Sequence, residues 1–503
     1  MKIIDLLILE FEKINNFFFI NFIIEVVMVL KIFNSLTKLK EKFFFSYKKI
    51  INIYVCGVTT YDFCHIGHAR TFLFFDTVIR YLQSLGYRTN YIRNITDIDD
   101  KIIHRAYINH EKVKNFSWRM ALEMKKDFCS LGLLEPNYEP KVTESIPDII
   151  LVIKKLIANQ FAYVEKNGDI LFSIQSYKKY GQLSRRFLSC FHKKNLDTLN
   201  NPIVFKDFVL WKNIPLVTKK DEINESLWMS PWGLGRPGWH IECSAINHRY
   251  CINGIDIHGG GIDLLFPHHE NELAQSFCIN QNFPIHYWMH TGMVILNKKK
   301  VSKSLNNFIT IRSLLLKYHP EVIRFYFLST HYRHPFYYNE KNLIASKKIL
   351  IRIYRVILKN HLISLKDTVN SQDNYVRNNF KKQFYDAMND DFNTPNVCSV
   401  LYNLSQYIDK IYLNNILLAG VLTKDLLFFG NILGLLTVNP KKFLFKNNIT
   451  DLKNLSLINE LMDLRMHYRQ AKKWSKADQI RKKLLTLGVI IEDNKNHSKF
   501  RFI

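Results

Sequence analysis

The stretch INIYVCGVTTYDFCHIGHAR, residues Ile51 to Arg70, decides the fold of this chain. Its apolar, β-branched beginning, Ile51 to Val55, predicts a buried strand that ends at Cys56-Gly57. After a short polar turn, His65-Ile66-Gly67-His68 predicts the start of an amphipathic helix. A second apolar run, Asn90 to Ile95, predicts the next strand. The sequence therefore predicts half of a nucleotide-binding α/β unit, whose ligand lies beyond the carboxyl end of the first strand.

The turn between this strand and this helix favours an anionic ligand. His65 and His68 flank Gly67 at the predicted helix N-terminus, where free backbone N–H groups attract negative charge. Gly67 allows a ligand to approach the backbone closely, and the two imidazoles add hydrogen-bond donors. The turn carries no GxGxxG pattern, which argues against a dinucleotide. We therefore expect a phosphate group at this turn.

Composition limits the class of protein. A chain of 503 residues with 47% hydrophobic and 23% charged residues is typical of a soluble protein of several domains. The formal charge of +26 predicts a polyanionic partner such as nucleic acid, although A/T-rich codon usage would also enrich lysine. The eight cysteines form no CxxC pair, so we expect a reduced, cytoplasmic compartment rather than a disulfide framework.

The first 27 residues form a segment of different character. They are rich in Phe and Ile, but acidic residues such as Asp5, Glu10 and Glu25 interrupt every apolar run. No run is long enough to cross a bilayer core of about 30 Å, and the acidic residues argue against a targeting peptide. We expect residues 1–27 to be an N-terminal extension without function, and we expect no membrane partner.

Four potential metal ligands converge in the predicted topology. Pro267 predicts the start of a helix on which His268 and Glu272, four residues apart, share one face. Such a pair alone is more often a surface hydrogen bond. However, Cys56 and Cys243 both fall at the carboxyl edge of the predicted sheet, close to this helix. Two thiolates, an imidazole and a carboxylate make a plausible zinc tetrahedron.

Two motifs carry a resemblance to a known family. His65-Ile66-Gly67-His68 resembles the HIGH signature of the class I aminoacyl-tRNA synthetases. The flanking residues, Tyr54 to Gly57 and Asn94 to Lys101, are similar to the cysteine-specific members of that family. Lys300-Val301-Ser302-Lys303-Ser304 resembles KMSKS, the second class I signature, with Val301 in place of Met and Asn306 in place of a later glycine.

The resemblance covers about residues 28–503 and implies an α/β fold. In that fold a Rossmann-like parallel sheet is split by an insertion and followed by an α-helical bundle and a small C-terminal anticodon-binding domain. The implied parts are the first half of the catalytic domain (28–162), the connective-peptide insertion (163–235), the second half with the zinc ligands (236–296), the KMSKS-type loop and stem-contact region (297–339), the helical bundle (340–445) and the anticodon-binding domain (446–503).

The resemblance also implies an activity and a set of site residues. The implied enzyme activates L-cysteine with ATP to cysteinyl adenylate and transfers it to the 3′ end of tRNA(Cys). One Zn²⁺ per chain would select the thiol, and Mg²⁺ would accompany ATP. The implied residues are His65, His68, Lys300 and Lys303 for catalysis; His65, His68, Gly259, Gly260, Gly261 and Lys303 for ATP; Gly57, Thr96 and Trp239 for cysteine; Cys56, Cys243, His268 and Glu272 for zinc; and Arg469, Asp478 and Asp493 for the anticodon.

Two other functions are compatible with parts of these motifs. A related ligase that transfers cysteine to an amino sugar would share the zinc and ATP motifs but lack an anticodon domain, so residues 450–503 count against it. A non-catalytic, zinc-bearing RNA-binding protein would show a degraded HIGH or lysine motif, and neither motif is degraded here. We expect the chain to act as a monomer.

Overall fold

The structure is a computed structural model. It describes residues 30–43, 50–186, 206–214, 226–280, 284–296, 299–300, 308–360, 370–445, 449–486, 489–493 and 498–502. The chain divides into two compact units. The first comprises the described residues within Met1–Leu350 and Ile363–Thr437, and the second comprises those within Ile351–Leu362 and Val438–Ile503. The predicted extension at residues 1–27 and Lys303 lie outside the described residues.

The strands and helices follow one another in three groups. The first group is β1 (Lys31–Asn34), β2 (Leu39–Lys42), β3 (Ile51–Thr59), α1 (Ile66–Ser84), β4 (Thr89–Thr96), α2 (Asp100–Ile108), α3 (Val113–Ser130) and α4 (Ile146–Ala158). The second group is β5 (Ala162–Val164), β6 (Ile170–Phe172), β7 (Phe208–Asn213), β8 (Trp228–Ser230), β9 (Gly233–Pro237), α5 (Trp239–Tyr250), β10 (Ile255–Gly261), α6 (Glu270–Asn280), β11 (Ile285–Thr291), β12 (Val294–Leu296) and β13 (Lys299–Lys300). The third group is α7 (Ile311–Leu315), α8 (Pro320–Leu328), β14 (Phe336–Tyr337), α9 (Glu340–Asn360), α10 (Ser371–Asn389), α11 (Thr394–Ile411), α12 (Ile416–Ile432), α13 (Pro440–Phe445), α14 (Ile449–Gln470), α15 (Trp474–Thr486), β15 (Val489–Asp493) and β16 (Ser498–Phe502).

A four-stranded parallel sheet in the order β11-β10-β3-β4 forms the centre of the first unit. Between β4 and β10 the chain inserts a separate antiparallel sheet in the order β5-β6-β7-β9-β8. The predicted α/β fold, a parallel sheet split by an insertion, is therefore confirmed. Because its strands are parallel, their carboxyl ends meet at one edge, where ligands bind in such folds.

Strand β3 runs further than the sequence predicts. Its predicted end at Cys56-Gly57 is wrong, because the strand continues to Thr59 after a register shift between Val55 and Val58. Gly57 makes this irregularity possible: a Cβ there would lie 1.6 Å from the backbone oxygen of Asn94. The Gly57 N–H instead donates to the Asn94 side-chain oxygen at 2.8 Å. The shift thus brings the end of β3 close against β4.

Helix α1 is buried on almost every side, not only on one face as an amphipathic helix would be. It contacts β10 of the sheet, α8 and α12. Two charged side chains are buried with it, Arg70 and Asp76. Arg70 donates to the carbonyl oxygens of Phe327, Thr330 and His331 near the end of α8. These contacts fix the helix that begins at the histidine turn.

The buried carboxylate of Asp76 gives a testable prediction about stability. It accepts hydrogen bonds from Arg324 at 2.5 Å, Arg80 at 2.7 Å and the Leu134 N–H at 2.6 Å. Asp76→Asn is expected to lower the free energy of unfolding of the first unit by about 3–5 kcal/mol at pH 7, because buried Arg324 would lose its counter-charge. Urea denaturation measures the change.

The same residue predicts a pH dependence. Burial works to raise the pKa of Asp76, but Arg324 and Arg80 hold it below its ordinary value. Because the pKa is lower in the folded state, the stabilisation is complete above about pH 4 and is lost as the pH falls through the folded-state pKa. The difference between variant and parent should shrink accordingly. Asp386→Asn, which breaks an exposed pair with Lys382, is the control and should change little; an equally small effect at Asp76 would contradict the prediction.

The second unit has a small apolar core of its own. Leu461 on α14, Ile480 and Leu484 on α15, and Ile491 on β15 are buried together. Strands β15 and β16 pair as an antiparallel hairpin. Across both units, no helix of the described ranges is long and apolar enough to cross a membrane.

Candidate active site and metal centre

A cavity of about 610 Å³ lies at the carboxyl edge of the parallel sheet. It brings together residues from β3, α1, β4, α5 and β10, which are far apart in sequence. The predicted site residues that line it are Cys56, Gly57, His65, His68, Thr96, Trp239, Cys243, Gly261 and His268. The edge of the sheet thus holds one cavity with both a histidine turn and two thiols.

The histidine turn caps α1. The Nδ1 atom of His65 accepts from the Gly67 N–H at 3.1 Å, and the Nδ1 atom of His68 accepts from the His65 N–H at 3.2 Å. The two rings stack at 3.9 Å with an angle of 7° between them. Because each Nδ1 acts as an acceptor, a neutral ring carries its proton on Nε2. Each ring therefore keeps an Nε2–H donor in the wall of the cavity.

The described backbone on both sides of the lysine loop is anchored near this turn. Lys300 is in β13, which pairs with Ile295 of β12. After the loop, the Ile309 carbonyl accepts from the Ile66 N–H at 2.9 Å, and the Ile311 N–H donates to the Cys64 carbonyl at 2.9 Å. The chain that follows the KMSKS-like sequence is therefore bonded directly to the histidine turn.

The four predicted zinc ligands lie together, and all four are buried. One ligand atom from each of Cys56, Cys243, His268 and Glu272 lies within 4.8 Å of the other three. The Cys56 Sγ atom is 3.9 Å from Cys243 Sγ and 3.4 Å from Glu272 Oε1. The His268 Nε2 atom is 3.5 Å from Cys243 Sγ and 3.0 Å from Glu272 Oε1.

These separations match a tetrahedral metal site. With Zn–S near 2.3 Å and Zn–N or Zn–O near 2.0–2.1 Å, the edges of a ligand tetrahedron are about 3.3–3.8 Å. The distances from Cys56 to Glu272 and from His268 to Cys243 fall within that range, and the other two lie within about 0.3 Å of it. The S₂NO donor set is also one that zinc favours. The residues present therefore fit the ion.

Without the ion, the four groups share protons among themselves. The hydrogen bond from the Cys56 thiol lowers the pKa of Cys243 to about 6, against the effect of burial, while burial raises the pKa of Cys56. Burial also opposes the charged forms of the other two. Even so, Glu272 and Cys243 raise the pKa of His268 to about 10, and His258 and His268 hold the pKa of Glu272 well below its ordinary value. Metal binding must therefore displace the protons of Cys56 and His268.

A ring of buried histidines contacts these ligands, and the sequence reasoning missed it. His258 Nε2 lies 2.9 Å from Glu272 Oε2, His269 Nε2 lies 3.2 Å from Cys56 Sγ, and His240 Nδ1 lies 3.1 Å from His268 Nδ1. Such outer partners orient metal ligands and set which nitrogen carries the proton. The available signals were the His268-His269 doublet and the position of His258 at the sheet edge.

The three predicted cysteine-pocket residues sit beside the metal ligands. Thr96 Oγ1 donates to Glu242 Oε2 and accepts from the Asn94 side-chain amide, both at 3.2 Å. Asn94 also holds the Gly57 N–H through its side-chain oxygen. Trp239 is 40% exposed, and its ring lies 4.4 Å from that of His268. Asn94 and Glu242, which orient these groups, had no signal in the sequence beyond their neighbours.

The glycine run Gly259 to Gly261, predicted as a loop that meets the nucleotide, is instead the last part of β10, paired with β11 as far as Thr291. A Cβ at Gly259 would lie 2.1 Å from the Phe75 ring, and one at Gly260 would lie 2.7 Å from His269. These two glycines therefore make room for packing, and of the three only Gly261 lines the cavity.

The start of the metal-binding helix also differs from the prediction. The regular helix α6 begins at Glu270, not at Pro267. The preceding residues, Leu265–His269, form a wider turn in which Phe266 has a non-helical backbone (φ −142°, ψ 131°). His268 and Glu272 nevertheless face the same point, as their 3.0 Å separation shows.

The predicted anticodon residues all fall in the second unit. Arg469 lies in the last turn of α14, and Asp478 is exposed on α15. Asp493 is the last residue of β15.

Comparison with known proteins agrees with this architecture. Residues 43–348 match the family model described as the tRNA synthetases class I (C) catalytic domain, and residues 383–437 match the DALR domain. The "Cysteine--tRNA ligase" of Buchnera aphidicola subsp. Cinara cedri is 52% identical over 94% of this chain and 100% of its own length. The protein of the same name from Histophilus somni is 46% identical, again over 94% of this chain and 100% of its own length.

Solved structures show the same fold at low sequence identity. The Mycobacterium tuberculosis methionyl-tRNA synthetase in complex with methionyl-adenylate superimposes with a TM-score of 0.55 at 10% identity, over 79% of this chain and 91% of that one. A LeuRS–tRNA–LeuAMS complex from Agrobacterium radiobacter gives a TM-score of 0.59 at 13% identity, over 80% of this chain and 85% of that one.

Proposed function

Since this chain belongs to the cysteine–tRNA ligase family of the class I aminoacyl-tRNA synthetases, we propose that it activates L-cysteine with ATP and transfers it to the 3′ end of tRNA(Cys). One observation carries the proposal: the cavity lined by His65 and His68 is also lined by Cys56, Cys243 and His268. An anion-binding turn and a thiol-binding metal site thus share one reaction space.

The chemistry has two steps. A carboxylate oxygen of cysteine attacks the α-phosphorus of ATP in line with the leaving oxygen, and pyrophosphate departs with that bond's electron pair. A ribose hydroxyl of the terminal tRNA nucleotide then attacks the activated carbonyl, its proton is lost, and AMP departs. Both steps build negative charge on oxygen, which donors fixed in advance stabilise best.

In the first step, His65 and His68 stabilise the charge on the phosphate through their Nε2–H groups. Their orientation costs nothing at the moment of reaction, because the backbone bonds to both Nδ1 atoms already hold the rings. Gly67 and Gly261 line the cavity without side chains and leave space for the nucleotide. Mg²⁺ bound to the ATP phosphates is the expected companion ion.

Lys300 and Lys303 would neutralise the triphosphate and the leaving pyrophosphate. The support is the anchoring of the chain: β13 ends at Lys300, and residues 309–311 are bonded back onto the histidine turn. A loop between these two anchors has its lysines within reach of phosphates bound at that turn. Lysine ammonium groups suit this role as mobile point charges.

Selection of cysteine over serine rests on the four metal ligands. When bound, Zn²⁺ supplies a soft centre that binds a thiolate far better than a hydroxyl. The sulfur is drawn to the mouth of the site by Cys56, Cys243 and His268, which line the cavity, whereas Glu272 is not in its lining. Thr96, Gly57 and Trp239 surround the same point and would hold the rest of the amino acid.

Charging of tRNA(Cys) with labelled cysteine by the purified protein tests the proposed function. We expect acid-precipitable label that depends on ATP and does not appear with labelled serine. The absence of any charging, from a protein that is folded and contains its metal, would contradict the proposal. No observation favours the amino-sugar ligase or the non-catalytic RNA-binding protein. We further propose a cytoplasmic monomer.

Recognition of the anticodon by Arg469, Asp478 and Asp493 gives a separate prediction. A carboxylate can accept a hydrogen bond from the edge of an unstacked base, whereas it repels phosphates. Asp478→Ala should therefore reduce kcat/KM for tRNA charging by about tenfold to a hundredfold, the usual cost of one base contact.

ATP–pyrophosphate exchange should be unchanged in the same variant, because activation uses only the first unit. Asp463→Ala, which removes an exposed carboxylate from α14, is the control and should leave both reactions unchanged. If Asp478→Ala charged tRNA as well as the parent, the assignment of that residue would be wrong.

A further inference from the structure

Glu270 is a buried carboxylate that neither the reaction nor the metal set uses. It is the first residue of α6 and is 0% exposed. It lies between two of the proposed zinc ligands, His268 and Glu272, but does not reach the ligand cluster. A buried charge needs partners, so its contacts should show what it does.

Both oxygens of Glu270 are occupied by one turn of the insertion. Oε1 accepts from the Gly181 N–H at 2.8 Å, and Oε2 accepts from the Ser184 N–H at 2.7 Å. The next residue adds a third bond: Asn271 Oδ1 accepts from the Tyr180 hydroxyl at 2.5 Å. The first turn of α6 is therefore tied to residues 180–184 by three buried hydrogen bonds.

This attachment matters because regular helical bonding does not fix one of the ligands. His268 belongs to the wider turn Leu265–His269, in which Phe266 leaves the helical backbone conformation. Glu272 belongs to the regular helix α6. The relative position of the two ligands therefore depends on how the junction between turn and helix is held, and Glu270 is the first residue after that junction.

We propose that Glu270 is a positioning residue, which anchors this junction to the insertion and so holds His268 and Glu272 at the separation that zinc needs. The inference rests on the proposed metal site. The carboxylate does not touch the ion or the substrate; it acts through the backbone that carries the two ligands. The insertion thereby contributes to metal retention although it supplies none of the four ligands.

Release of zinc from the intact protein to a chromophoric chelator, at a temperature well below unfolding, tests this role. In Glu270→Gln one carboxylate oxygen becomes an NH₂ group, which cannot accept from a backbone N–H. Zinc release should accelerate by about tenfold to a hundredfold, the range seen when outer partners of metal ligands are lost. Tyr180→Phe, which removes one hydroxyl and no charge, should give a smaller acceleration.

Asp207→Asn is the matched control. Its carboxylate also accepts one backbone N–H, from Ile174, and one tyrosine hydroxyl, from Tyr163, both at 2.9 Å and within the insertion. It makes no contact with α6 through these bonds. This variant should lose thermal stability without releasing zinc faster, which separates positioning of the ligands from general loosening of the insertion.

The outcomes are distinct. If Glu270→Gln retains zinc as long as the parent does, the inference is wrong although the metal site stands. The inference is equally wrong if Asp207→Asn releases zinc as fast as Glu270→Gln at equal thermal stability. If Glu270→Gln does not fold, Tyr180→Phe decides: release at the parental rate overturns the inference. A parent that binds no zinc would overturn the proposed metal site, and this inference with it.

Discussion

Replacing Cys243 by serine is expected to reduce bound zinc from one ion per chain to almost none. A hydroxyl is a much poorer zinc ligand than a thiolate, and the other three ligands cannot close the tetrahedron. Cysteine activation should fall with the metal, by about a thousandfold or more in kcat/KM, because recognition of the thiol depends on it. Elemental analysis of the purified variant and ATP–pyrophosphate exchange with cysteine measure the two effects.

The chain offers a matched control for this substitution. Cys278 is buried on α6, the helix that also carries Glu272, but it is not one of the clustered ligands. Cys278→Ser makes the same chemical change at a similar burial, so it should keep its zinc and its activity. If Cys243→Ser kept a full zinc content, the assignment of this ligand would be wrong, whatever its activity.

Replacing His65 by asparagine is expected to slow adenylate formation by about a hundredfold to a thousandfold, the usual cost of losing one fixed donor to a developing negative charge. Asparagine is a good N-cap residue, so its side-chain oxygen can still accept from the Gly67 N–H and keep α1 in place. What the variant loses is the Nε2–H donor. Pre-steady-state formation of adenylate measures the effect.

A comparison of two substitutions separates catalysis from folding. His65→Ala loses both the donor and the cap, and it should cost about 1 kcal/mol of additional stability. His65→Asn should lose activity to a similar extent but keep the melting temperature and the zinc content of the parent. An asparagine variant that formed adenylate at the parental rate would show that the His65 ring has no part in the chemistry.

Part of this site was predictable from local sequence because it depends on strand order alone. Cys56 follows an apolar run, Cys243 opens a helix, and His268 and Glu272 share a helix face. In a parallel sheet the carboxyl ends of strands meet at one edge, so these four residues had to come close whatever the details of the loops. The parallel sheet and its insertion were predictable in the same way.

What the sequence reasoning missed depends on packing between distant residues. Gly57 continues a strand because Asn94 fills the space where a Cβ would lie. Gly259 and Gly260, which locally look like a loop, are in a strand because Phe75 and His269 pack against them. No pattern within either segment contains these partners. Tertiary contacts of this kind override local turn signals.

The central claim is that this chain activates cysteine because its four buried ligands hold a thiol-selective metal beside an anion-binding turn. ATP–pyrophosphate exchange by the zinc-loaded protein, with cysteine and serine compared at equal concentrations, tests it most directly. The account predicts exchange with cysteine at least about 10⁴-fold more efficient than with serine, without any editing step. Comparable exchange with both amino acids would contradict it.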